Sequence, residues 1–173
     1  MRIEILDKIV FACPICNRVF ETFYGLRNHF QKAAKNYCPI CGKVYKNVIG
    51  HYYHKSFVDE EHAVLFGLVP TKQGKTNANK EKYKQYKEKC KQLAYEKCKR
   101  KKAQLVLDNG KRYDILEAII VNGNIVLHCY KRYAYAHLSH RIFKIKFDNG
   151  TIEKLKKAGV KIYTNGEKEL VFL

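Results

Sequence analysis

Two Cys-x2-Cys pairs near the start, a lysine-rich run of about 25 residues without Gly or Pro, and four Asn-Gly dipeptides near the end predict the fold class. It is a set of small metal-held ββα modules, then a basic helix, then a C-terminal α+β domain with antiparallel hairpins. The corresponding segments are 1–70, 71–103 and 104–173.

The first segment writes one knuckle twice, CPICNRVF from Cys13 and CPICGKVY from Cys38. A C-x2-C pair on a tight turn presents two thiolates at the bite that tetrahedral zinc requires. Two arrangements compete for the remaining ligands. The four cysteines, with 21 residues between the pairs, would close around one ion as a ribbon. Alternatively each pair builds a separate zinc-finger (ββα) module with histidines from downstream. The second arrangement explains more residues: after Cys16 come Phe20, Leu26 and His29, an aromatic and a Leu for a small core and an imidazole on a helix. After Cys41 come Tyr45, Val48 and His51, the same plan shortened by three residues, and then His54. The expected ligands are thus Cys13, Cys16 and His29 for the first module and Cys38, Cys41, His51 and His54 for the second. One or two zinc ions per chain follow. The first module lacks a second histidine, because Ala33, Ala34 and Lys35 stand where it would fall.

Residues 38–70 resemble the short zinc finger of the Ros/MucR regulators on Cys38, Cys41, Gly42, Tyr45, Lys46, Val48 and His51, and on Glu60, Glu61, Phe66, Gly67 and Leu68 in the trailing helix. His54 departs from that pattern by one position, with Lys55 at the usual place. The first module resembles an ordinary C2H2 finger. Such a resemblance implies sequence-specific DNA binding and transcriptional control. Conventional docking of the first helix turns Thr22, Gly25 and Asn28 toward bases, with Tyr24 nearby, and Arg27 toward a phosphate; the second module offers Lys46, Asn47 and Gly50. This is a thin reading set, so backbone contacts should dominate.

The middle segment holds thirteen basic and three acidic residues in 33 positions. After a linker in which Asn77 or Asn79 would cap the helix, Tyr83, Tyr86, Cys90, Leu93 and Ala94 recur at three- and four-residue steps, a narrow apolar stripe on a cationic rod. Lys84, Lys87, Lys91, Lys99 and Arg100 are its expected phosphate contacts. In the last segment, Asn109-Gly110, Asn122-Gly123, Asn149-Gly150 and Asn165-Gly166 mark reversals between strands. Strands are expected near 104–107, 113–121, 125–130, 141–147, 160–163 and 169–172, with a short helix from Thr151 to Ala158 that Thr151 caps and Gly159 ends. Between strands, Cys129–Arg141 interleaves aromatic and basic groups: Lys131, Arg132, Tyr133 and Arg141, with Tyr130 and Tyr135, suit phosphates and unpaired bases.

Lysine and arginine number 34 against 16 acids, a formal charge of +18, which calls for a polyanionic partner. Double-stranded DNA is favoured over RNA, and the C-terminal domain is left for homodimerisation, ligand sensing or added binding. The opening MRIEILDKIVF is too short and too interrupted by charge for a secretory or membrane segment. Seven cysteines in the reducing interior expected for this chain read as ligands and core residues rather than disulfides. No catalytic residue is assigned. His128, Cys129, His137 and His140 share no diagnostic spacing, and Asp148, Glu153 and Lys156 only loosely suggest a nuclease site. A nuclease or accessory subunit, and a binder of structured RNA or ribosomes, stand as the alternatives to a DNA-binding regulator.

Overall fold

The computed structural model describes residues 1–33, 36–69, 80–132 and 138–164. In chain order the elements are β1 (Arg2–Ala12), β2 (Val19–Phe20), α1 (Phe23–Ala33), α2 (Val48–Ser56), α3 (Glu60–Leu68), α4 (Lys80–Cys98), β3 (Lys99–Val106), β4 (Arg112–Val121), β5 (Asn124–Arg132), β6 (Leu138–Lys146), α5 (Asn149–Ala158) and β7 (Lys161–Thr164). They form a helical unit, Phe11–Cys16 with Phe20–Lys99, and a sheet unit, Met1–Val10 with Asn17–Val19 and the chain from Arg100 onward. This division differs from the expected segments 1–70, 71–103 and 104–173. The opening residues join the sheet, and the lysine-rich helix joins the knuckles.

The helical unit is organised around α3. Every residue from His62 to Leu68 is buried, as expected of a helix that is apolar on all sides. Asp59 caps it by accepting from the Glu61 amide at 3.0 Å, and Glu60 and Glu61 place negative charge in its first turn. Gly67 is where α4 crosses: a Cβ there would stand 2.1 Å from the Cys90 carbonyl oxygen, so only glycine permits this approach. The α4 stripe packs Tyr83, Tyr86, Cys90, Leu93, Ala94 and Cys98 against Leu26, Phe30, Tyr52, Leu65 and Phe66. Lys87 lies on that same stripe and is buried. Its ammonium donates to the Phe66 carbonyl and sits 3.9 Å from the Phe66 ring centroid. That carbonyl is one of the last four in α3, which have no partner within the helix, so Lys87 caps a helix end instead of meeting a phosphate.

Residues 99–103, expected as the continuation of the basic helix, form the first part of β3 instead. In β3, Arg100 and Ala103 are buried while Lys99 and Lys101 are exposed, and strand pairing overrides the helix propensity of KRKKAQ. The sheet runs β2-β1-β3-β4-β5-β6, with β7 also on β4. Along one edge of β4, β3 pairs antiparallel with Arg112–Asp114, and β7 pairs parallel with Glu117–Ile120. Ile115 and Leu116 fall in the gap between them, where β4 also carries a register shift. Arg100 fills that gap: it is buried and donates to the Leu116 carbonyl at 3.0 Å and to the Ile115 carbonyl. Burial draws its pKa down to about 10. It satisfies orphaned backbone acceptors, so it too is withdrawn from the expected set of phosphate contacts.

The core of this unit is one face of the sheet, Leu105, Ile115, Ala118, Ile125, Leu127 and Cys129, covered by Ile152, Leu155 and Ala158 of α5. Asn122-Gly123 makes the β4–β5 turn with both residues at positive φ, 49° and 73°. Asn109-Gly110 lies between β3 and β4, with Gly110 at φ 81°. Asn149-Gly150 instead opens α5, because Asp148 accepts from the Gly150 and Thr151 amides at 3.3 and 3.1 Å; Asp148, and not Thr151, is the cap. Gly159 ends the helix in the left-handed region. The expected strand at 169–172, the turn Asn165-Gly166, the linker caps Asn77 and Asn79, and Tyr133, Tyr135 and His137 lie outside the described residues. Among the described residues, no helix is long and apolar enough to cross a membrane.

Candidate metal centres

The second knuckle is a minimal hairpin. Tyr37 and Val44 form an antiparallel bridge, the Cys38 amide donates to the Lys43 carbonyl at 2.9 Å, and Gly42 turns at φ 71°. The Cys41 amide points at Cys38 Sγ, 3.5 Å away. Helix α2 is capped by Asn47, whose Oδ1 accepts from the Gly50 amide at 3.0 Å, and its first turn delivers His51, stacked on Tyr45 with ring centroids 3.9 Å apart. After Ser56 the chain reverses and α3 returns with His62.

The four groups converge. Cys41 Sγ lies 3.4 Å from His51 Nε2 and 3.3 Å from His62 Nε2, and Cys38 Sγ lies 3.6 Å from His62 Nε2. All four ligand atoms fall within 4.8 Å of one another. A tetrahedral zinc with bonds of about 2.0–2.3 Å spaces its ligand atoms about 3.3–3.8 Å apart, so the donor set fits the ion. His62 presents Nε2 because its Nδ1 faces Asp59 Oδ2 at 2.5 Å, the carboxylate–imidazole support that fixes ring orientation at zinc sites. Asp59 therefore caps α3 with one oxygen and orients a ligand with the other. Burial, and then the nearby His62, lower the His51 pKa, which favours the neutral ring that binds metal.

His54 is not in this group. It is exposed, with its ring 5.3 Å from that of Tyr53. The expected ligand His54 lies three residues after His51, whereas the chain closes the site from the next helix, eleven positions after His51. The signal was present in EEHAVLFGL: one imidazole in an apolar run, three residues after an aspartate.

The first centre gathers Cys13, Cys16 and His29, again within 4.8 Å of one another, with Cys16 Sγ 3.3 Å from His29 Nε2. Cys13 is fully buried, receives the Ile15 amide at 3.4 Å, and has its pKa lowered to about 7, chiefly by a hydrogen bond from Cys16. His29 rests on Phe20, so the aromatic expected beneath the finger supports its ligand.

The expected nucleic-acid contacts differ in exposure and in their internal partners. Tyr24, Lys46, Lys84 and Arg141 are exposed, and Asn28 and Lys91 are half-buried. The Thr22 hydroxyl accepts from the Gly25 amide at 3.0 Å, and Asn47 caps α2. Arg27 donates to the Val69 carbonyl at 3.3 Å and reaches over Phe23, so α1 keeps it as an internal brace. Lys99 pairs with Glu96 at 3.3 Å. Lys131 is half-buried, and nothing is described of the Arg132 side chain. In the sheet unit, His128 bridges Glu117 at 3.2 Å and His140 at 3.0 Å, while Cys129 faces the apolar core. Strand alternation therefore separates the thiol from the imidazoles.

Residues 10–30 match the family model of the C2H2-type zinc finger. No curated protein and no solved structure matches the chain. The match covers the first knuckle, β2 and most of α1, and with the two ligand groups it supports one or two zinc ions per chain. The chain carries a zinc-finger domain together with a mixed helix and antiparallel sheet fold, and a finger of this type points to nucleic-acid binding in general.

Proposed function

We propose that this protein is an intracellular zinc-dependent DNA-binding regulator that grips duplex DNA mainly through its phosphates. The observation that carries this reading is the pairing of two convergent Cys/His groups with a formal charge of +18. Zinc supplies structural cross-links: Cys38, Cys41, His51 and His62 would hold one ion, and Cys13, Cys16 and His29 would contribute to another. The exposed Tyr24, Lys32, Lys46 and Lys84 belong to the helical unit that these ions hold. The resemblance to Ros/MucR fingers, on Cys38, Cys41 and His51, favours the duplex and transcriptional control. With Thr22, Arg27 and Asn47 engaged internally, sequence selection rests on few side chains and the backbone term dominates. A binding role is favoured over a nuclease because Asp148, the first carboxylate of the loose acidic set, is occupied as the α5 cap.

Fluorescence anisotropy with a labelled duplex, the matching single strand and an RNA hairpin tests this reading. We expect the duplex to bind most tightly, with affinity falling about 10³-fold between about 50 and 200 mM salt if about six phosphates are contacted. Preference for the hairpin would move the reading to RNA. Binding to none of the three at low salt would overturn it.

A further inference from the structure

We propose that Cys98, the last residue of α4, is the fourth ligand of the first zinc centre, making it a closed Cys3His site. Zinc held structurally takes four protein ligands, and Cys13, Cys16 and His29 provide three. The chain's topology brings α4 to this place. The Met1 ammonium sits 2.6 Å from Asp108, and Lys101 reaches Asp7 at 3.8 Å, so β1 and its sheet neighbour β3 run in opposite directions. Continued in that register, Phe11–Cys13 arrives alongside the last turn of α4. The Phe11 ring packs on Tyr95 with centroids 5.0 Å apart, one turn before Cys98. Cys13 and Cys98 share one buried cluster, at 0% and 5% exposure, and interact electrostatically.

Of the other two cysteines outside the knuckles, Cys90 belongs to the same buried cluster but lies against Gly67 at the α3–α4 crossing, about two helical turns from Cys98, and Cys129 is in the apolar core of the sheet unit. A third thiolate also explains why this finger has no second histidine at Ala33–Lys35: the ligand arrives from α4 instead. The ion would then fasten the lysine-rich helix to the finger, holding Lys84 and Lys91 in one body with α1.

X-ray absorption at the zinc edge on the full wild-type chain counts sulfur neighbours directly. The proposal expects about five sulfurs for two ions, from Cys13, Cys16, Cys98, Cys38 and Cys41, against about four if Cys98 is not a ligand. Cys98→Ala should lose the zinc of the first centre while Cys90→Ala keeps both ions, and Cys98→His should restore the lost ion. Cobalt substitution gives a second readout, with thiolate charge-transfer absorption dropping in Cys98→Ala. Four sulfurs for two ions in the wild type, or a single ion, would overturn the assignment even if Cys98→Ala fails to fold. So would alkylation of Cys98 in the zinc-loaded chain at the rate seen after chelation.

Discussion

The helical unit and the sheet unit reach stability by different means. In the sheet unit, hairpins close a hydrogen-bond ladder over an apolar face, and α5 covers that face with Ile152, Leu155 and Ala158; both candidate metal groups found among the described residues lie in the helical unit instead. The helical unit has three short helices, α1 to α3, of 11, 9 and 9 residues, each below the length at which a helix persists alone. Its two thiolate knuckles contain almost no regular structure. Their turns are fixed by amide-to-sulfur contacts that gain strength when the sulfur is a metal-bound thiolate. The contrast teaches that the metal ligands are concentrated where the fold cannot stand on packing alone, so the surface proposed to bind DNA should depend on zinc.

The largest expected effect follows from this contrast. Stripping zinc with a strong chelator should remove about 10 kcal/mol or more of apparent folding free energy from the helical unit and leave the β3–β6 amides protected. Hydrogen exchange resolved by residue checks it; equal loss of protection in both units would erase the distinction. Next in size, Leu127→Ala, at a fully buried sheet position, should cost about 2–5 kcal/mol by denaturant unfolding with zinc content unchanged. Asp59→Asn keeps the α3 cap but weakens the support of His62, and should lower zinc affinity at the second centre about 10–100-fold in competition with a chromophoric chelator.

The smallest effect concerns Lys87. Burial, and then the nearby Arg27, draw its pKa down to about 7, well below that of a lysine in an unfolded chain. The folded state therefore holds fewer protons than the unfolded state above about pH 7. The cost of burying the charge is complete below that pH and fades as pH rises toward the ordinary lysine value. Lys87→Met should raise stability at pH 7 by about 1–2 kcal/mol and flatten the rise in stability between about pH 7 and 9. An unchanged slope in the variant would show that Lys87 is not its source.

Much of the metal chemistry was legible in the sequence, because ligand spacing is local: C-x2-C, Phe20 and His29 carry their own geometry. The turn at Asn122-Gly123 was legible for the same reason. What escaped depends on partners distant in the chain. β1 alternates Ile3, Ile5 and Ile9 in plain sight, but its role appears only when β3 lies beside it. KRKKAQ reads as helix until β4 offers an edge, and Arg100 and Lys87 read as phosphate ligands until Ile115, Leu116 and Phe66 present carbonyls without partners. His62 required knowing that the chain reverses at Phe57–Asp59.

The most direct test of the account is zinc per chain, measured by mass spectrometry of the metal in the wild type, His62→Ala and His54→Ala. The account predicts two ions in the wild type, one in His62→Ala together with weakened duplex binding, and two in His54→Ala. A single ion in the wild type that survives His62→Ala would mean that the four knuckle cysteines share one centre, and would contradict it.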